Sequence, residues 1–314
     1  MTAHLPPRPF TRAELADLGL TRDQVRDAIR LGDVTHPFHG VYLPSHLGER
    51  VEHRAAALGR VVSSAHVVCD RTAAWLHGID AYSLGELTQP PPIEVSALRG
   101  HTPSRATGAV AHRRDLLPED IEQIGRLRVT TPLRTALDLG CFLYRREAMG
   151  VLDAFARLHP AASQAALARE LERFKGRRGV KQLRELVPLI DPKAESARES
   201  WTRLEIIDEG LPVPVSQYWI VVDGVRIFRL DHAYPLARVA VEYNGFEAHQ
   251  RTPEQVERDA FRREWLTDHR WTVVEIGDGD FSGQRRERWL GELCEALAPA
   301  YSSLRWKGYR RWAG

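Results

Sequence analysis

The strongest local constraint in the chain is a dipeptide. Asp223-Gly224 separates QYWIVV from VRIFRLD, two runs rich in β-branched and aromatic residues. A two-residue hairpin turn needs positive φ at both central positions, which Asp-Gly supplies at low cost, so the two runs are expected to pair antiparallel. A helix is expected before this hairpin, over about Glu195 to Gly210. After it come a loop at Tyr234-Pro235, a strand RVAVEYN, a helix from Pro253 to Asp268 and a last strand WTVVEI. The expected C-terminal order is therefore αβββαβ.

The chain is too long for that core alone. Its 314 residues are two to three times a typical domain, which implies several cores. Pro6, Pro7 and Pro9 precede Thr11, and Glu14 follows three residues later, a pattern that predicts a first helix from Thr11 to Leu18. Gly19 stops it. Thr21 then caps a second helix through Arg30, and VTHPFHGVYLPS reads as a small hairpin. Helix, turn, helix and hairpin over 1–50 make a winged-helix candidate. Residues 51–192 alternate helical and extended pieces, among them IEVSAL, GAVAHRR and LRVTTP, and read as a mixed α/β middle domain. The αβββαβ segment belongs to a third domain over 193–298, and a basic aromatic tail occupies 299–314.

Composition narrows the function classes. Forty-four Lys and Arg against 42 Asp and Glu leave a formal charge of +2, which excludes a histone-like tail and an acidic disordered protein. Nucleic acid is not excluded, because binding needs a local basic surface. Cys69, Cys141 and Cys294 are odd in number and far apart, so they build neither a disulfide framework nor a zinc knuckle. No apolar run approaches the length of a bilayer span and the N-terminus lacks a leader pattern, so a cytoplasmic location is expected. Phosphate-loop, nucleophile-elbow and zinc-protease motifs are absent.

Chemistry concentrates in the αβββαβ segment. Asp231 ends one strand and Glu242 lies near the end of the next, so antiparallel pairing would bring both carboxylates to one end of the sheet. Acids held that close repel unless a cation neutralises them, and hard oxygen ligands select Mg²⁺ or Mn²⁺. Glu199 on the preceding helix supplies a third acid. A divalent ion so held keeps water and open positions for phosphate oxygens, which is the chemistry of phosphodiester hydrolysis. Ordinary strand-end acids are the competing reading.

The run ESARESWTRLEIIDEGLPVPVSQYWIVVDGVRIFRLDHAYPLARVAVEYNGFEAH, followed by RDAFRREWLTDHRWTVVEI, resembles the endonuclease-like domain related to very-short-patch-repair nucleases in the PD-(D/E)XK superfamily. The resemblance covers about 193–280 and implies a restriction-endonuclease-like core with Glu199, Asp231 and Glu242 as metal ligands. Asn244 stands where the superfamily commonly has lysine; it would position rather than protonate. His249 matches a histidine expected in this group, in a role assisting proton transfer or the leaving group. Arg258, Asp259 and Arg262 match an R-D-x-x-R pattern, read either as a helix-face salt bridge, as a role in orienting site residues or, for Arg262 or Arg263, as a phosphate contact.

FTRAELADLGLTRDQVRDAIRLGDVTHPFHGVYLPS is similar to the N-terminal winged helix of AbiEi-type antitoxins, the repressor partners of type IV toxin-antitoxin systems. RTAAWLHGI, LLPEDIEQIGRLRVTTPLRTALDL and GRRGVKQLRELVPL resemble the middle region of actinobacterial proteins that join this module to the nuclease-like domain. The resemblance implies DNA, and a toxin or defence protein, as partners. Arg22, Arg26 and Arg30 share one face of the second helix, where a major groove would receive them, although Asp23 and Asp27 lie beside them. Lys175, Arg177, Arg178, Lys181 and Arg184 form a second basic cluster, and Arg305, Lys307, Arg310 and Arg311 alternate with Trp306, Tyr309 and Trp312 in the tail. Both suit sequence-independent phosphate contact. The expected protein is a multidomain α/β, DNA-binding, Mg²⁺- or Mn²⁺-dependent endonuclease. The alternative is a non-catalytic regulator or antitoxin with a degenerate nuclease core.

Overall fold

A computed structural model of the chain describes residues 5–48, 50–82, 90–98, 108–244 and 253–301, with the backbone alone at 253–256 and 259. His249 and residues 302–314 of the basic aromatic tail, with Arg305, Lys307, Arg310 and Arg311, lie outside the described residues. In chain order the elements are β1 (Phe10–Thr11), α1 (Arg22–Arg30), β2 (Val34–Phe38), β3 (Val41–Pro44), α2 (Val51–Leu58), β4 (His66–Val68), α3 (Asp70–Leu76), β5 (Ile93–Ala97) and β6 (Ala109–His112). There follow β7 (Ile121–Ile124), β8 (Leu127–Thr130), α4 (Pro132–Phe142), α5 (Arg145–Leu158), α6 (Gln164–Glu170) and α7 (Val180–Leu186). The last group is α8 (Ala197–Asp208), β9 (Val215–Val222), β10 (Val225–Tyr234), β11 (Val239–Tyr243), α9 (Pro253–Asp268), β12 (Thr272–Ile276) and α10 (Gly283–Leu297). Two compact units share them: residues 1–142 with 159–184, and 143–158 with 185–314.

In the first unit, α1 starts where Thr21 and Gln24 cap each other, and it turns Val25 and Ala28 inward against Phe10, Leu15, Leu20 and Val34. The helix expected over Thr11 to Leu18 is instead a strand end and a single 3-10 turn, Arg12–Glu14. The Thr11–Glu14 capping pair does form, at 2.9 Å. Buried Phe10, stacked on Tyr42 at 5.2 Å, holds the chain extended as far as Thr11, so the expected first helical residue is in a strand paired with β3. The strand order is β1-β3-β2, all antiparallel.

The same unit contains a five-stranded mixed sheet, β6-β5-β4-β8-β7. β7 lies in the stretch LLPEDIEQIG, which alternation did not mark as a strand; it forms a hairpin with β8. Phe38 and Val41 of the small hairpin pack with Ala55, Leu58, Val68, Leu76, Ile93, Val95, Leu127 and Val129 in a shared core.

The second unit carries the order α8-β9-β10-β11-α9-β12-α10, with strands arranged β12-β11-β10-β9. Asp223 and Gly224 turn the first hairpin at φ values of 50° and 79°, as their chemistry requires. β11 and β12 are parallel, and α9 is the crossover between them. Tyr234, Val239, Val241, Val274 and Ile276 pack with Ile206, Trp289 and Leu293, whereas Ile220, Leu230 and Ala240 pack with Trp265 and Leu266. α5 belongs here: Gly150 approaches α8 so closely that a Cβ would lie 3.1 Å from that of Ala197. Asp153 and Arg203 form a buried ion pair at 2.7 Å between the two helices.

Candidate functional site

The register of β10 against β11 pairs His232 with Val241, so Asp231 and Glu242 follow as neighbours. Asp231 does not end its strand as expected, because β10 continues to Tyr234 in its pairing with β11, while Glu242 is next to last in β11. The acids tie the two strands together. The Asp231 N–H donates to Glu242 Oε1 at 3.2 Å, and the Tyr243 N–H donates to Asp231 Oδ2 at 3.0 Å. Burial pushes the Asp231 carboxyl above its usual range, and the charge of Glu199 pushes in the same direction. Glu242 is pushed up to about 7, by burial first and also by Asp231, against the opposing pull of Arg262. Glu199 lies nearby on α8, where its carbonyl meets His232 Nε2 at 2.9 Å and its carboxylate meets Gln217 of β9.

The remaining residues of the proposed constellation divide. Arg262, on α9, reaches Glu242 Oε2 at 2.6 Å and the Arg229 carbonyl at 3.0 Å. Asn244 is exposed, and its backbone N–H extends the parallel ladder to the Ile276 carbonyl at 2.8 Å.

As folded, these acids suit a hard divalent ion in chemistry but not in arrangement. Both oxygens of Glu242 already accept hydrogen bonds from the protein, one from a backbone N–H and one from a guanidinium. Glu199 Oε2 accepts from the Glu195 N–H at 2.9 Å and from Gln217 Nε2 at 2.7 Å, with Gln217 held at a φ of 51°. Among the described residues no group of three or more His, Cys, Asp or Glu is placed to hold a metal ion.

The basic residues also divide. On α1, Arg26 pairs with Asp23, and Arg30 pairs with Asp27 at 3.2 Å, so two of the three guanidiniums on that exposed face carry acids beside them. The second cluster differs. Phe174 is buried under the Arg177 guanidinium at 4.3 Å, and Gly179 follows at a φ of +84°. A Cβ on Gly179 would lie 2.0 Å from the Cys141 carbonyl oxygen, so only glycine fits this turn against α4. It leads into α7. Lys175, Arg178, Lys181 and Arg184 are all exposed there, and no ion pair to them occurs among the described residues.

One polar constellation has no marker in local sequence. Asp70, buried and at a φ of 51°, opens α3, and both of its carboxylate oxygens accept from one nitrogen, Nη2, of Arg114, at 2.6 and 2.7 Å. His112 Nε2 lies 3.5 Å from Asp70 and 4.0 Å from Glu94. Burial, then the charge of Asp70, pushes Glu94 up to about 7. Nearby, fully buried Arg134 binds Asp120 at 2.6 Å and Asp138 at 2.8 Å. The contributors are scattered over α3, β5, β6 and α4; the one local signal is an acid in β5, where Ile93, Glu94 and Val95 are buried in succession.

Comparison with known proteins places this constellation. Residues 66–189 match the AbiEi antitoxin C-terminal domain. Two relatives from Mycobacterium tuberculosis, the uncharacterized protein MT2308 of strain CDC 1551 and the uncharacterized protein Rv2248 of strain H37Rv, are each 33% identical over 293 residues, covering 92% of this chain and 100% of theirs. The antitoxin-domain match ends at residue 189, before the αβββαβ segment. No helix among the described residues is long and apolar enough to cross a membrane.

Proposed function

The chain belongs to the family of these two mycobacterial proteins and carries an AbiEi antitoxin C-terminal domain, and from that premise we propose that it is a DNA-binding regulator of the antitoxin kind. The observation that carries the reading is the exposed cluster Lys175, Arg178, Lys181 and Arg184, set on a glycine-anchored turn and the start of α7 inside the matched region. Unpaired cations at fixed spacing are the footprint of phosphate binding, which supplies affinity and register without reading bases. Arg22, Arg26 and Arg30 on α1 would add contacts if the N-terminal elements act as a winged helix, and a toxin is the protein partner the antitoxin domain implies. The test is retardation of duplex DNA from upstream of the gene. Reversing two charges, Lys181→Glu with Arg184→Glu, is expected to weaken binding by at least about tenfold; undiminished binding contradicts the reading.

A second reading is favoured by Asp231 and Glu242 side by side on β10 and β11, with Glu199 of α8 nearby: a Mg²⁺- or Mn²⁺-dependent endonuclease. It requires Arg262 to leave Glu242, because the acids do not fit an ion as they stand. Plasmid incubated with either ion would be cut by the wild-type chain and spared by Asp231→Ala and Glu242→Ala. Absence of cutting by all three supports the regulator.

A further inference from the structure

Two half-buried carboxylates side by side require a positive charge, and here the chain supplies its own. Arg262 Nη2 binds Glu242 at 2.6 Å and is anchored a second time by the Arg229 carbonyl at 3.0 Å, so the guanidinium is held between α9 and β10. The other Glu242 oxygen is closed by the Asp231 N–H, Asp231 Oδ2 by the Tyr243 N–H, and Glu199 Oε2 by Glu195 and Gln217. Of the three acids, Asp231 and Glu199 each keep one oxygen outside these contacts, and Glu242 keeps none. Two oxygens from separate elements are a poor cage for an ion that demands near-octahedral oxygen ligation.

We infer that Arg262 is the resident counter-ion of this acid cluster, standing in place of a divalent metal, and that the core as folded takes up neither Mg²⁺ nor Mn²⁺. This rests on the regulatory reading above and gives it a physical cause: a nuclease-like arrangement whose cation has become a side chain. Arginine suits the exchange, because its charge is permanent and the two N–H groups of Nη2 reach a carboxylate and a carbonyl together. Arg262 is thereby a positioning residue, holding Glu242 against β10.

The test is titration of Mn²⁺ into the full-length protein by calorimetry, with thermal unfolding followed in parallel. The wild-type chain is expected to show no binding that Asp231→Asn removes. Arg262→Met is expected to gain a one-ion site at least about tenfold tighter than any in the wild type, to lose it again when Glu242→Gln is added, and to unfold at a lower temperature that Mn²⁺ restores. Should Arg262→Met not fold, Arg262→Gln takes its place: it keeps an N–H donor for Glu242 but carries no charge, so Mn²⁺ affinity rises by a smaller factor. Wild-type binding of one Mn²⁺ that is lost in Asp231→Asn overturns the inference, as does a folded Arg262 variant with no gain. Neither result touches the DNA-binding test on Lys181 and Arg184, so a failure here and a failure of the regulatory reading are seen separately.

Discussion

Asp70 and Glu94 show what burial does to single side chains in the antitoxin-like region. Both are nearly inaccessible, Arg114 Nη2 donates to both oxygens of Asp70, and Glu94 is left at about 7. A carboxyl whose pKa is higher folded than unfolded binds protons on folding, so its contribution is fullest at low pH and is lost as pH rises from about 4.5 toward 7. His77 acts with the opposite sign. Burial lowers it to about 4, so its contribution is present above about 6.5 and is lost as pH falls toward 4. Glu94→Gln keeps an oxygen for the Arg71 N–H, which Glu94 accepts at 2.6 Å, and removes one of the two opposing effects. Between about pH 5 and 7.5 the variant is expected to gain stability relative to the wild type by about 1–3 kcal/mol, read from urea unfolding. A difference that stays constant across that range would refute a titrating Glu94.

At the scale of elements, the hairpin around Asp223-Gly224 was legible because its turn chemistry is local, and the nearness of Asp231 to Glu242 followed from antiparallel pairing of the next two strands, β10 and β11. Arg262 as the partner of Glu242 was not, because the R-D-x-x-R spacing equally fits a salt bridge within α9. The 3-10 turn at Arg12–Glu14 shows the same limit: the capping pair was readable, while the stacking of Phe10 on Tyr42 that shortens the helix comes from 32 residues away. β7 escaped because Glu119, Asp120, Glu122 and Gln123 interrupt its apolar pattern. Two substitutions test packing between elements. Gly179→Ala places a Cβ on the Cys141 carbonyl in a left-handed backbone conformation and is expected to cost about 3 kcal/mol or more, whereas Gly176→Ala, also left-handed but with open space at its Cβ, isolates the backbone cost alone. Equal losses would show that the close approach is not made. Arg203→Met strands Asp153 between α5 and α8, with an expected loss of about 3–5 kcal/mol in chemical unfolding; a loss below about 1 kcal/mol would mean that the pair is not buried as found.

For the whole molecule, a near-zero net charge conceals local asymmetry. Forty-four basic and 42 acidic residues are largely interleaved: Arg26 and Arg30 are matched by neighbouring acids, Arg114 and Arg134 are consumed inside the first unit, and Arg203 and Arg262 inside the second. Lys175, Arg178, Lys181 and Arg184 stand apart from that pairing, and the regulatory account depends on them. The most direct measurement is the salt dependence of duplex-DNA affinity for the wild type and for a chain with all four replaced by alanine. Each phosphate contact contributes about 0.9 to the slope of log affinity against log salt, so the account predicts a slope shallower by about 3 to 4 in the variant together with weaker binding at every salt concentration. An unchanged slope would mean that these four cations touch no phosphate, and would contradict the account at its centre.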